Sequence, residues 1–177
     1  TDLQTWDLTQ ILGEIDRRFT AALADTALLR ATPIQTYDVL LKKGEAPDSY
    51  RPTLYDFLAY EALEFYQAGE QGAVTAEDVF ELDADSPVLA DAEAFLAWRP
   101  ASADSASAAL KAVRLFQGLL AFHRNDPDRS AFLDADLARM EFADNSAVGE
   151  SKSERYQAAL RRFADQSADH EVSSRAL

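Results

Sequence analysis

The sequence predicts an all-α protein: an antiparallel array of helical hairpins joined by short loops, with an irregular segment in its middle. Three observations carry that expectation. Apolar residues recur every three or four positions over most of the chain, which is the period of a helix face and not of a strand. Glycine and proline number six each in 177 residues, too few for an architecture of frequent hairpin turns. Alanine, leucine, glutamate, arginine and glutamine are abundant, and all favour helix. The length suits one domain with a real core, so we expect a single helical domain over residues 1–177 with an irregular insert at 74–100.

The first helix follows from Leu8, Leu12, Ile15, Phe19 and Leu23, a stripe on one face. Trp6 leads into it, Asp7 is an acid suited to the first turn, and the stripe extends through Leu28 and Leu29 towards Pro33. Pro33, Ile34, Tyr37, Leu40 and Leu41 predict a shorter second helix with proline in its first turn. The stretch KKGEAPDSY, residues 42–50, is a loop: Gly44 stops the helix, and Pro47 and Asp48 form a turn.

The next stretch, RPTLYDFLAYEALEFY at 51–66, is the most aromatic of the chain. Thr53 and Asp56 have the spacing of a capping box, and Pro52 with Phe57 that of a hydrophobic staple. At about 100° per residue, Leu54, Tyr55, Leu58, Ala59, Ala62, Leu63, Phe65 and Tyr66 fill one broad arc. Asp56, Glu64 and Gln67 lie opposite, flanked by Glu61. So wide an arc needs neighbours on two sides, so this is a central helix with Leu58, Ala62 and Phe65 nearly inaccessible. Its acidic polar face is wrong for a membrane surface, and no positive groove accompanies the aromatics as base stacking requires.

Periodicity weakens between Gly69 and Ser105. Residues 75–78 and 90–98 could each form a helical turn, and Phe80, Leu82, Phe95 and Trp98 pack the segment. Small residues at 100–108 lead into a helix lined by Leu110, Val113, Phe116 or Gln117, Leu120 and His123, which stops near RNDPD. Asp126 or Asp128, around Pro127, begins another, lined by Phe132, Leu133, Leu137, Met140 and Phe142. A helix over 154–164 turns Tyr156, Leu160 and Phe163 inward, and after a turn the chain stops as a further helix starts. That ending, and a first residue Thr1 instead of Met, make a segment of a longer protein the expectation.

Seventeen basic against 31 acidic residues give a net charge of −14, which repels phosphate backbones and excludes nucleic acid as a partner. The adjacent bases Arg17-Arg18, Lys42-Lys43 and Arg161-Arg162 are isolated pairs on solvated surface. Cysteine is absent, so thiol catalysis, disulfides and thiolate metal sites are excluded. No apolar run reaches the roughly 20 residues of a spanning helix, so this segment does not insert in a membrane. His123 ends a helix, where a cation suits the dipole, and His170-Glu171 lacks a second histidine at the metalloprotease spacing. Asp83 and Asp85 begin like a calcium loop, but Pro87 takes a ligand position and Val88 stands where glycine is needed. Asp126, Asp128, Asp134, Asp136 and Glu141 offer carboxylate pairs. Glycosidase chemistry uses such pairs only when they face one cleft, and spacing does not establish that. The sequence assigns no catalytic, cofactor-binding or metal-binding residue.

YRPTLYDFLAYEALEFY resembles a phrase in the N-terminal helical region of large bacterial alpha-2-macroglobulin-like proteins, and LFQGLLAFHRNDPDRSAFLDADLARMEF with YQAALRRFADQSADHEVSSRAL resembles the second half of that region. The resemblance spans Trp6 to Leu177 and is thin over 74–100. Tyr156, Ala159 and Leu160 also resemble the second helix of a tetratricopeptide unit, although the usual proline after it is replaced around Gln166 and Ser167, and no repeat of about 34 residues is present. The family implies a protease-trapping parent in the cell envelope or periplasm. Its thioester needs a cysteine, so no inhibitory residue carries over. The implied role is a non-catalytic scaffold or interaction module whose partners are the parent's other domains and an envelope protein. An intracellular tetratricopeptide-type adaptor and a carboxylate-dependent hydrolase stand as alternatives.

Overall fold

A computed structural model describes residues 6–42, 44, 47–68, 80–102 and 106–176. Seven α-helices and several 3₁₀ turns make up the regular structure of these residues, so the fold is all-α. Extended pairing among them is confined to the isolated bridges Pro33–Thr53 and Asp83–Val148. The chain clusters into two compact units, residues 1–76 and 77–177, where its length alone suggests one domain.

In the first unit, α1 spans Leu8–Ala22. Asp7 is its cap: the carboxylate accepts the Gln10 N–H at 2.8 Å, and the Gln10 side chain accepts the Asp7 N–H at 3.0 Å. Its stripe ends at Leu23, and a separate α2, Thr26–Ala31, starts from a second cap at Asp25. The predicted helix after Pro33 is only a 3₁₀ turn, Ile34–Tyr37. Leu40, counted among the apolar residues of that predicted helix, is 76% exposed, because the turn ends before it.

The helix α3, Leu54–Gln67, starts with the expected capping box. Thr53 Oγ1 accepts the Asp56 N–H at 3.4 Å, while the Asp56 carboxylate accepts the Thr53 N–H at 2.9 Å and its hydroxyl at 2.7 Å. Asp56, placed on the polar side by the helical wheel, is buried because the box draws it back over the first turn. α3 packs on α1 and α2, as its broad arc requires. Ala62 is inaccessible, but Leu58 and Phe65 are only half-buried, contrary to expectation. They face the slender α1, none of whose residues is fully buried. Phe65 meets Phe19 with ring centroids 5.5 Å apart, and the Tyr66 hydroxyl donates to Asp16 at 2.8 Å. Burial, and next the Asp16 carboxylate, push the Tyr66 phenol well above its ordinary pKa.

In the second unit, α4 spans Ala92–Ala97, α5 Ala108–His123, α6 Ser130–Ser146 and α7 Lys152–Gln166. α5 packs on α6 and α6 on α7, each across a short connection, so the three form consecutive helical hairpins. The α5 stripe is as expected, with Phe116 rather than Gln117 at its centre. Gln117 instead donates to the Phe95 and Trp98 carbonyls, both at 2.9 Å. The stretch expected as an irregular insert belongs to this core: Leu82, Val88, Leu89 and Phe95 are at most 2% exposed. The predicted turn at 75–78 lies outside the described residues.

The most enclosed helix of this unit is α6. Leu133, Leu137, Met140 and Phe142 are buried on it, and so are Asp134, Asp136 and Arg139. A helix buried all round with charges on it requires each charge to be paired.

Candidate functional site

The buried charges of α6 hold the fold. Arg139, wholly inaccessible, donates from Nε and Nη2 to Asp136 Oδ1 at 3.0 and 2.6 Å. Its Nη1 donates to the carbonyls of Val88 and Ala90 at 2.7 and 3.0 Å, and its guanidinium lies 4.7 Å from the Phe95 ring centroid. Burial pulls its pKa down while Asp136 opposes that pull. From α7, Arg162 donates to the Leu89 carbonyl at 2.9 Å and Arg155 to that of Ser86 at 3.3 Å. Three arginines thus clamp the carbonyls of one 3₁₀ turn, Pro87–Leu89 and its flanks. Periodicity does not reveal this clamp; its trace in the sequence is the Asp136–Arg139 pair at i,i+3.

The two histidines also hold helix ends. His123, buried at the last position of α5, contacts the Asp126 carboxylate through Nδ1 at 2.7 Å. His170 lies 3.1 Å from Ser130 Oγ through Nε2, and its Nδ1 accepts the Val172 N–H at 3.2 Å. A Ser–His pair invites a hydrolase reading, but the protons run the wrong way. Nδ1 accepts, so in the neutral ring the proton is on Nε2 and Ser130 Oγ receives it. The Ser130 hydroxyl in turn turns to Asp128, whose pKa it lowers, helped by the Ser130 N–H that Asp128 accepts at 2.9 Å. A nucleophile must give its proton to the imidazole. Here the chain His170, Ser130, Asp128 pins the start of α6.

The aspartates that begin like a calcium loop are similarly engaged. Asp83 Oδ1 accepts the Asp85 N–H at 2.7 Å, and Asp85 Oδ1 accepts the Ser151 hydroxyl at 2.6 Å with Arg155 3.6 Å away. Among the described residues no group of three or more histidines or carboxylates converges as a metal site, and no helix is long and apolar enough to cross a membrane.

What these structural pairings leave is a surface in the first unit. A cleft of about 340 Å³ opens between the Ile34–Tyr37 turn, the 47–51 segment and α3. Ile34, Leu41, Pro47 and Phe57 line it with apolar surface, and Asp38, Asp48, Glu61, Lys42 and Arg51 line it with charge. The Arg51 guanidinium stacks 3.8 Å from the Tyr60 ring centroid, and Gln35 donates to Asp48 at 3.0 Å. Beside the cleft Val39 and Leu40 are 91% and 76% exposed. Sequence reading placed Leu40 in a predicted short helix after Pro33 and did not identify this patch.

The described residues form an all-α protein of packed helical hairpins in which the charges buried on α6 are paired within the fold. Comparisons with family models, with curated proteins and with solved structures find no match to this chain.

Proposed function

We propose that this chain is a non-catalytic helical scaffold and interaction module of a bacterial alpha-2-macroglobulin-like envelope protein, with tetratricopeptide-like packing in its second unit. The observation that carries the interaction reading is the exposed pair Val39 and Leu40 beside a cleft lined with apolar side chains. Large apolar side chains exposed together at the rim of a cleft favour a protein contact surface. The partner we assign is a protein of the cell envelope with an apolar centre and a neutral or basic rim. Three carboxylates against two cations around the cleft, within a net charge of −14, favour that complement. The parent and its protease-trapping activity rest on the resemblance of the RPTLYDFLA phrase and of the 115–142 and 156–177 stretches. In that setting the parent's other domains are the second class of partner.

The test compares wild-type chain with the Val39→Glu/Leu40→Glu variant as baits in an envelope extract, over a salt series. The expected result is a set of proteins retained by wild type, lost by the variant and weakened as salt screens the contact. Identical capture by both baits would overturn the docking reading.

A further inference from the structure

In the first unit, α1 turns Asp16 and Phe19 to α3, where they reach Tyr66 and Phe65. Leu8, Ile11, Ile15, Arg18 and Ala22 recur at spacings of three and four, the seam that one helix offers to another. Along it Leu8 and Ile11 are 49% and 39% exposed, Arg18 and Ala22 are exposed, and Ile15 is half-buried. Glu14, Ile15, Arg18, Phe19 and Ala22 line, with Leu58 of α3, an open trough of about 270 Å³. The charges beside the seam balance. Glu14 accepts from Arg17 and Arg18, each at 2.6 Å, and α1 holds as many acids as bases in a chain of net charge −14.

We propose that this seam is a contact between two copies of the chain, their α1 helices antiparallel across a two-fold axis at the level of Asp16. Charge selects a second copy over a foreign partner. Two surfaces of net charge −14 repel each other over most orientations, and the neutral α1 is where they meet without that penalty. A basic partner finds no excess of acid on α1 to attract it. The seam also fits its own image, as an isologous contact requires. With the axis midway between Glu14 and Arg18, each Glu14 stands level with Arg18 of the other copy, which gives two opposite-charge pairs. Ala22 of each copy falls between Leu8 and Ile11 of the other, small against bulky, and the two Ile15 side chains meet beside the axis. Leu58, half-buried although the arc of α3 predicts a core, borders the same contact. A helix of 15 residues is about 22 Å long, so the contact is small and the dimer weak and reversible. This seam is separate from the cleft beside Val39 and Leu40, and either reading stands without the other.

The experiment is sedimentation of the full chain from micromolar to millimolar concentration. The 19.5 kDa chain should approach twice its mass as concentration rises. Ile11→Asp should keep the helical spectrum of wild type and associate about tenfold or more weakly. Glu14→Arg and Arg18→Glu, each alone, set like charges across the axis and should weaken association by a similar factor. An equimolar mixture of those two variants should regain the doubled mass, because each supplies the charge that the other lacks. Val39→Glu/Leu40→Glu should dimerise as wild type does. A wild-type chain of single mass throughout would overturn the proposal. So would a dimer that Ile11→Asp leaves intact, or one that falls only with Val39→Glu/Leu40→Glu and so forms at the cleft. If Ile11→Asp unfolds α1, the charge variants decide, since Arg18 is open to solvent; a mixture that stays at single mass then sinks the antiparallel pairing.

Discussion

Arg139 is the residue on which the second unit depends most. Its removal leaves Asp136 buried without a partner and uncovers the Val88 and Ala90 carbonyls at once. Breaking a buried pair on one side costs about 3–5 kcal/mol, so Arg139→Ala should lower the urea midpoint severely. Arg161→Ala, on the solvated face of α7, should shift stability by no more than about 0.5 kcal/mol. Equal midpoints for the two variants would mean that the clamp contributes nothing. Beyond the i,i+3 spacing of Asp136 and Arg139, none of this was legible in residue types, because a helix reading SAFLDADLARMEFADNS spreads its charges over every face. A helical wheel separates apolar from polar residues. It is silent on whether a polar residue finds its partners 49 and 51 residues away, as Arg139 does.

At the scale of the element, what could be read was local. The capping box of α3 needs only Thr53 and Asp56 three residues apart, and it forms as spelled. Thr53→Ala should therefore cost about 1 kcal/mol. Burial was less legible, because it depends on what arrives from elsewhere. Phe65 sits in an arc that promises a core, yet it is half-buried against Phe19, whereas Phe142, in the less orderly α6, is 1% exposed. Phe142→Ala should cost about 3–5 kcal/mol, the range for a fully buried phenylalanine, and Phe65→Ala distinctly less. Chemical denaturation of both variants checks the order, and a larger loss for Phe65 would contradict the packing described. The 80–100 stretch shows the same limit. Its apolar residues ahead of α4 carry no period because carbonyl clamping at 86–90, not a regular ladder, holds that backbone.

At the scale of the whole molecule, the sequence gives the class and the charge, and the structure gives the division into two compact units, each with its own buried residues. The fall in periodicity between Gly69 and Ser105 marks the vicinity of the boundary between residues 76 and 77. The same loss of pattern describes an insert equally well, so sequence alone could not choose. The net charge of −14 is a property of the entire surface. It bears on which partners approach and at what rate, and it leaves the fold to short-range pairings.

The three-arginine clamp also has a kinetic consequence. Its bonds join residues 51, 49, 73 and 69 positions apart, whereas α5–α6 and α6–α7 close across short connections. Closing long loops costs entropy before any contact repays it, so the hairpins form early and the 86–90 turn is captured on the native side of the transition state. Arg162→Ala should then speed unfolding while leaving the refolding rate nearly unchanged. Stopped-flow chevrons of the two chains would show it, and a refolding limb slowed by the full loss of stability would place the clamp in the nucleus instead.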